Sequence, residues 1–195
     1  MRINRPYRKT TIPENAKLVF EGVIFDVYQW EQELFDGSKT TFEKLSRPDT
    51  AIIYPVLSDG RILLIKDSQP DQTYLCAPMG RVENDETPER AAARELLEET
   101  GYTVTDIMPL HESAPYYSKV DWRVYAFVGV GASKVGEHTT DPGERIKLFP
   151  VTFNELIELA SKPDFDDPRL TMLVLEAKAN PGKMEELRKK FLGSA

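Results

Sequence analysis

Cysteine is almost absent: Cys76 is the only one in 195 residues. No internal disulfide can form, so packing alone must hold the fold, and a lone thiol beside a strand reads as a small core residue. Histidine is nearly as scarce. His111 and His138 stand far apart and match no zinc spacing, so both read as incidental. Long apolar runs are missing, which excludes a membrane-spanning helix. No apolar stretch follows the basic residues of MRINRPYRKT, so this start does not read as a secretory signal. It reads as a frayed basic tail. Excess positive charge is lacking as well: the net charge of −7 argues against a broad nucleic-acid surface. A small anionic ligand stays compatible, because bound cations can reverse a local field. What is present, 41% hydrophobic and 29% charged residues, suits a globular chain of one domain plus a small addition. A reducing cytoplasm is the compartment these features fit.

The order of elements follows from patterning. Residues 17 to 57 are strand-rich, with Asp36-Gly37 as a hairpin signal and Thr40 to Leu45 returning. Arg47-Pro48-Asp49-Thr50 breaks the run, and Ala51 to Leu57 is an apolar strand. Further strands are expected at Arg61 to Lys66, Thr73 to Pro78, Thr103 to Ser113, Arg123 to Gly131 and Ile146 to Val151, with 131–145 a polar loop. Thr152 and Glu155 form a capping-box signature for a helix to about Ala160. Asp167-Pro168 opens another to about Ala179, and the amphipathic KMEELRKKF follows Pro181-Gly182. Strands on both sides of one helix, with helices later, suit a mixed sheet between helix layers.

The most specific segment is residues 80–102, GRVENDETPERAAARELLEETGY. Seven positions in it, Gly80, Glu86, Arg94, Glu95, Glu98, Glu99 and Gly101, form a pattern that chance would give on the order of once in a million chains. Thr87 is an N-cap, Pro88 follows at the first helical position, and Gly101 suits the left-handed residue past the end. On a helix over 88–100, Glu95, Glu98 and Glu99 share a face about 100° wide. Ala93, Leu96 and Leu97 are expected to be the buried face, and Ala91 and Ala92 to extend the acidic one. The glutamates are poorly placed for helix stability. Glu95 and Glu99 repel at i,i+4 by roughly 0.2–0.5 kcal/mol. Glu98 and Glu99 oppose the helix dipole by about 0.3–1 kcal/mol each. Clustered carboxylates on a short rigid element suit a hard divalent cation beside a phosphate. Gly80 permits a tight loop that frees the carbonyl of Met79, and Arg94 can orient a carboxylate.

The pattern G-x5-E-x7-R-E-U-x-E-E-x-G-U, with U a bulky apolar residue, resembles the Nudix hydrolase box with no position missing. The resemblance implies an α/β/α sandwich around a mixed sheet. It implies Mg²⁺, or Mn²⁺, held by Glu95, Glu98 and Glu99, with the Met79 carbonyl as a further ligand and Glu86 as an outer member. A β-rich extension over 1–48 before a catalytic domain over 49–195 is similar to the ADP-ribose pyrophosphatase branch, and FEKLSRPDTAIIYPV resembles the entry into that branch's catalytic domain. There the extension builds a homodimer and part of the nucleotide pocket. Arg47, Gln69, Tyr28 and Trp30 are the substrate-binding candidates by this likeness, the aromatics as base platforms. Gln69 stands where the branch has an arginine. In EHTTDPGERIKL, Glu144 matches an additional metal ligand, and Pro142 stands where a catalytic glutamate is often found. The general base is therefore Glu144, Asp141, Glu137 or a box acid such as Glu98. The implied activity is Mg²⁺-dependent cleavage of an ADP-ribose or ADP-sugar type diphosphate. A nucleotide sensor without hydrolysis and a triphosphate-sanitising hydrolase are the competing readings; the intact set of box acids favours an enzyme.

Overall fold

The computed structural model describes residues 3–139, 143, 145–162 and 165–193. The chain opens with strands β1 (Lys17–Glu21), β2 (Asp26–Glu33) and β3 (Lys39–Ser46). Next come β4 (Thr50–Leu57), β5 (Ile62–Ser68), β6 (Thr73–Cys76), β7 (Met79–Arg81) and helix α1 (Pro88–Thr100). Strands β8 (Tyr102–Thr103), β9 (Asp106–Ser113), β10 (Val120–Asp121), β11 (Val124–Lys134) and β12 (Arg145–Val151) follow. Helices α2 (Phe153–Ala160), α3 (Pro168–Ala179) and α4 (Pro181–Leu192) end it. Among the described residues, no helix is long and apolar enough to cross a membrane.

The larger sheet is mixed: β4 runs parallel to β11 and antiparallel to β5 and β7. Side chains of a strand alternate between its faces, and β4 shows why helices lie on both. Ile52, Tyr54 and Val56 enter one core with Phe153, Leu156, Leu170, Val174 and Phe191 from α2, α3 and α4. Ala51 and Ile53 enter a second core with Ala91, Ala92 and Leu96 of α1 and Phe127 of β11. The mixed sheet is thus sandwiched between α1 and the three later helices. Leu96 is fully buried; Leu96→Ala would cost about 2–5 kcal/mol through lost contacts and a cavity. The last helix docks on its own domain, with Phe191 edge-on to Tyr54 and Phe153.

The smaller sheet has the order β1-β2-β3-β10. Its β2–β3 hairpin turns at Asp36-Gly37, where Gly37 takes φ +81°, a conformation that favours glycine. The late strand β10 joins β3 in parallel through Val120 and Asp121, so the sheet draws on more than the first 48 residues.

Several sequence expectations need correction. The N-terminal segment is not frayed. Arg5 and Arg8 meet Asp49 and Asp121, both at most 1% exposed, in a buried ion network. Arg8 grips Asp49 with two hydrogen bonds of 2.8 Å, and Tyr7 and Thr10 donate to Asp49 and Asp121. Buried carboxylates demand such partners. His111 is not incidental either. Its Nε2 lies 2.8 Å from Asp167 Oδ2, which also accepts the Tyr54 hydroxyl, while Asp167 Oδ1 caps α3 at Leu170 N–H. The polar stretch after residue 131 is not wholly loop: β11 continues to Lys134 after Gly131 turns at φ +68°. On α1 the buried set is Pro88, Ala91, Ala92, Leu96 and Thr100, while Ala93 is half-buried and Leu97 is 46% exposed. Small Ala91 and Ala92 face the sheet, which brings the helix close to β4 and leaves Leu97 outside.

Candidate active site

Helix α1 forms where its local signals place it. Thr87 Oγ1 caps Arg90 N–H, Pro88 occupies the first turn, and Gly101 ends the helix at φ +73°. Strand β7 pairs with β4, setting Gly80 opposite Ala51, and α1 packs across it. A Cβ at position 80 would lie 2.0 Å from Glu95 Oε1. Glycine alone therefore lets the Glu95 carboxylate lie against the strand.

Arg94 organises the acids. Its Nε and Nη2 donate to the two oxygens of Glu86 at 3.1 and 3.0 Å. Its Nη1 donates to Glu95 at 2.7 Å and Glu98 at 3.0 Å, and Nη2 also reaches the Arg81 carbonyl. Glu99 accepts the Met79 N–H at 3.2 Å. The structure therefore gathers Met79, Glu86, Arg94, Glu95, Glu98 and Glu99. Burial raises the Glu86 carboxyl, but the bonds from Arg94 and the Glu83 N–H outweigh it and hold Glu86 below the usual range. Glu95 goes the other way: burial raises it, Glu98 and Glu86 raise it further, and Arg94 offsets only part. One guanidinium thus leaves the acids short of positive charge.

That imbalance is the test of whether a metal fits. Among the described residues no three acidic, imidazole or thiol groups already enclose an ion-sized point. Glu95 and Glu98 do converge, on the cationic Nη1 of Arg94. The donors are all oxygen and outnumber the cation facing them, which is the chemistry a hard divalent ion takes.

Beside the acids opens a cleft of about 650 Å³ that reaches from Met79, Gly80 and Arg81 to Trp122 and the start of α3. Arg47 lines it, its guanidinium 4.5 Å from the Trp122 ring centre and 5.5 Å from that of Phe25. Trp122 is fixed by its indole N–H donating to Thr50 Oγ1 at 3.1 Å. Burial and the nearby Arg81 both lower the Arg47 pKa. A groove of about 710 Å³ beside α4 is larger, but none of its lining residues belongs to the glutamate box.

The other candidates lie elsewhere. Gln69 is exposed between β5 and β6, donates to Asp67 at 2.9 Å and is not among the cleft residues. Tyr28 is 3% exposed and packs with Ile12, Ala16 and Trp30. Trp30 is half-buried on the smaller sheet, edge-on to Phe42. Glu144, with Asp141 and Pro142, lies outside the described residues. Glu137 is exposed and pairs with Lys134. Trp122, Arg81 and Asp166 of the cleft escaped the sequence reading. Arg81 alone carried a signal, its place next to the box glycine.

Glutamates seated on α1, with Glu95 against Gly80 of β7, beside an arginine-lined cleft on an α/β/α sandwich, define an enzyme that acts on phosphate anhydrides. The NUDIX domain model matches residues 46–173, and the chain belongs to the Nudix family as one of its hydrolases. Within it the chain is similar to the ADP-ribose pyrophosphatase branch. It is 27% identical over 157 residues to the ADP-ribose pyrophosphatase of Bacillus subtilis, covering 77% of this chain and 83% of that protein. It is 25% identical to the GDP-mannose pyrophosphatase of Yersinia enterocolitica, over 73% and 75% of the two chains. The fold matches the crystal structure of an ADP compounds hydrolase, with a TM-score of 0.68 at 21% identity over 92% of this chain and 98% of that one.

Proposed function

We propose that this chain hydrolyses the diphosphate of an ADP-ribose or ADP-sugar type nucleotide, giving a nucleoside monophosphate and a sugar phosphate. The observation that carries the reading is the charge layout. Box glutamates that outnumber the Arg94 guanidinium they share adjoin a cleft whose Arg47 guanidinium, without an ion pair among the described residues, lies over aromatic rings. Similarity to pyrophosphatases acting on ADP-ribose and GDP-mannose supports the substrate class.

Glu95, Glu98 and Glu99, with the Met79 carbonyl, would hold Mg²⁺, or Mn²⁺ in its place. When bound, such an ion supplies positive charge to the phosphates and makes the attacking water more acidic. Arg94 keeps Glu95 and Glu98 aimed at one point. Arg47 offers charge to a phosphate. Glu98, 46% exposed at its side chain against 16% for Glu86 and 15% for Glu95, is the first choice for general base; Glu144 is the second. Gln69 lies outside the cleft lining, so Arg47 is the phosphate-binding candidate.

Residues 1–48 would form a dimerising extension and 49–195 the hydrolase domain. Tyr28 is covered within one chain, so a base platform on the small sheet falls to Trp30, presented to a second protomer's cleft. The single thiol, Cys76, is buried and suits a reducing cytoplasm. The test is a panel of nucleotide diphosphates and triphosphates with Mg²⁺, with products identified by mass. Release of AMP and ribose phosphate from ADP-ribose is expected. Rapid diphosphate release from triphosphates, with nucleotide sugars untouched, would overturn the reading in favour of a sanitising enzyme.

A further inference from the structure

The cleft is not uniformly basic. Arg47, before β4, and Arg81, in β7, bring cations to it; the connection into α3 brings two carboxylates, Asp166 and Asp167. Asp167 is fully engaged, with Tyr54, His111 and the Leu170 N–H as its partners. Asp166 has no hydrogen bond or ion pair among the described residues; partial burial and then the like charge of Asp167 are what act on its carboxyl. Arg169 also lines the cleft, but among the described residues it makes no ion pair with Asp166; its electrostatic influence is on Glu176, in a neighbouring groove. The α3 end of the substrate cleft therefore keeps an unbalanced acceptor.

We propose that Asp166 is a specificity-determining residue: its carboxylate accepts hydroxyl hydrogen bonds from a neutral, polyhydroxylated group beyond the diphosphate, and it disfavours a further phosphate there. The inference rests on the proposed diphosphatase reading and adds a reason for its substrate class. A carboxylate offers two oxygens and only acceptors, which suits a diol and repels an anion. Two adjacent carboxylates, one buried, make that end costly for a third phosphate. Among the described residues no hydrogen bond or ion pair holds the Asp166 side chain, and α3 is capped by Asp167.

The test measures kcat and KM for ADP-ribose and for ATP, with Mg²⁺, on the full chain and on Asp166→Asn and Asp166→Glu. The asparagine variant should raise KM for ADP-ribose about tenfold, the scale of one charge-assisted hydrogen bond. It should also narrow the ADP-ribose to ATP ratio of kcat/KM, and glutamate should restore part of it. Melting curves confirm folding, and Asp166→Ser carries the same test should the asparagine variant melt early. An unchanged ratio, or a loss confined to kcat, would overturn the role of Asp166 and leave the diphosphatase reading standing. A wild-type chain that cleaves no nucleotide sugar would overturn that reading and this inference with it.

Discussion

Gly80 and Glu98 separate two kinds of requirement at the scale of single residues. Glycine at 80 is needed for space: any Cβ there meets the Glu95 carboxylate at 2.0–2.5 Å. The clash is with the end of a flexible side chain, so Gly80→Ala should fold, with Glu95 displaced by an ångström or more. Misplacement on that scale costs on the order of 100-fold in rate. We expect turnover to fall by about that factor while the melting temperature moves little; wild-type turnover would show that Glu95 need not lie against β7. Glu98 is a chemical requirement. Glu98→Gln keeps the size, retains an oxygen for Arg94 and removes a carboxylate that opposes the helix dipole. Activity should drop about 10²–10⁴-fold if Glu98 is the general base, with stability unchanged or slightly raised. Glu144→Gln, measured beside it, decides which acid takes the proton. If Glu98→Gln retains full turnover and Glu144→Gln loses it, the base is Glu144.

Elements whose causes lie close in sequence were readable, and those with distant causes were not. Helix α1 was legible to its ends because Thr87, Pro88 and Gly101 act within four residues of their targets. The capping box of α2 is of the same kind. Strands β7 and β10, three and two residues long, are too short to show alternation and exist only because β4 and β3 offer them edges. The site divides along the same line: Glu95, Glu98 and Glu99 share one helix with Glu86 just before it, while Trp122 and Asp166 reach the cleft from separate later segments. Arg5 and Arg8 read as a solvated tail because Asp49 and Asp121 lie 41 to 116 residues away. Their network now gives a pH prediction. Burial raises the Asp121 carboxyl, but the hydroxyl of Thr10 and the charges of Arg5 and Arg8 outweigh it and bring it to about 2. A depressed carboxyl gives stability that is fully present above its unfolded value of about 4 and is lost as pH falls through the folded one. This contribution, on the order of 1–2 kcal/mol after screening, should therefore vanish between about pH 4 and pH 2. Urea melts of wild type and Asp121→Asn should converge across that window; parallel curves would remove Asp121 as the source. Arg8→Met should cost roughly 3–5 kcal/mol at neutral pH, because it leaves buried carboxylates under-compensated.

Taken as a whole molecule, the chain is unevenly finished. The catalytic sandwich covers both faces of its sheet, whereas the smaller sheet leaves Phe20 59%, Val23 97%, Phe35 114% and Phe42 42% exposed. Strand β1 is exposed along its whole length. A sheet edge with unpaired backbone groups and an apolar face seeks a partner. No segment of the described chain covers it, and the arm of residues 5–12 is already committed to Asp49 and Asp121. A second copy is the economical cover, since a two-fold interface needs only one self-complementary patch. The same pairing would bring Trp30 of one protomer toward another's cleft, so assembly and substrate binding are expected to be linked. We therefore predict a homodimer by light scattering at micromolar concentration. Phe20→Glu with Phe42→Glu should yield a folded monomer with a raised KM for ADP-ribose. A wild-type monomer would remove the dimer; a monomeric variant with unchanged KM would keep the dimer but remove the shared pocket.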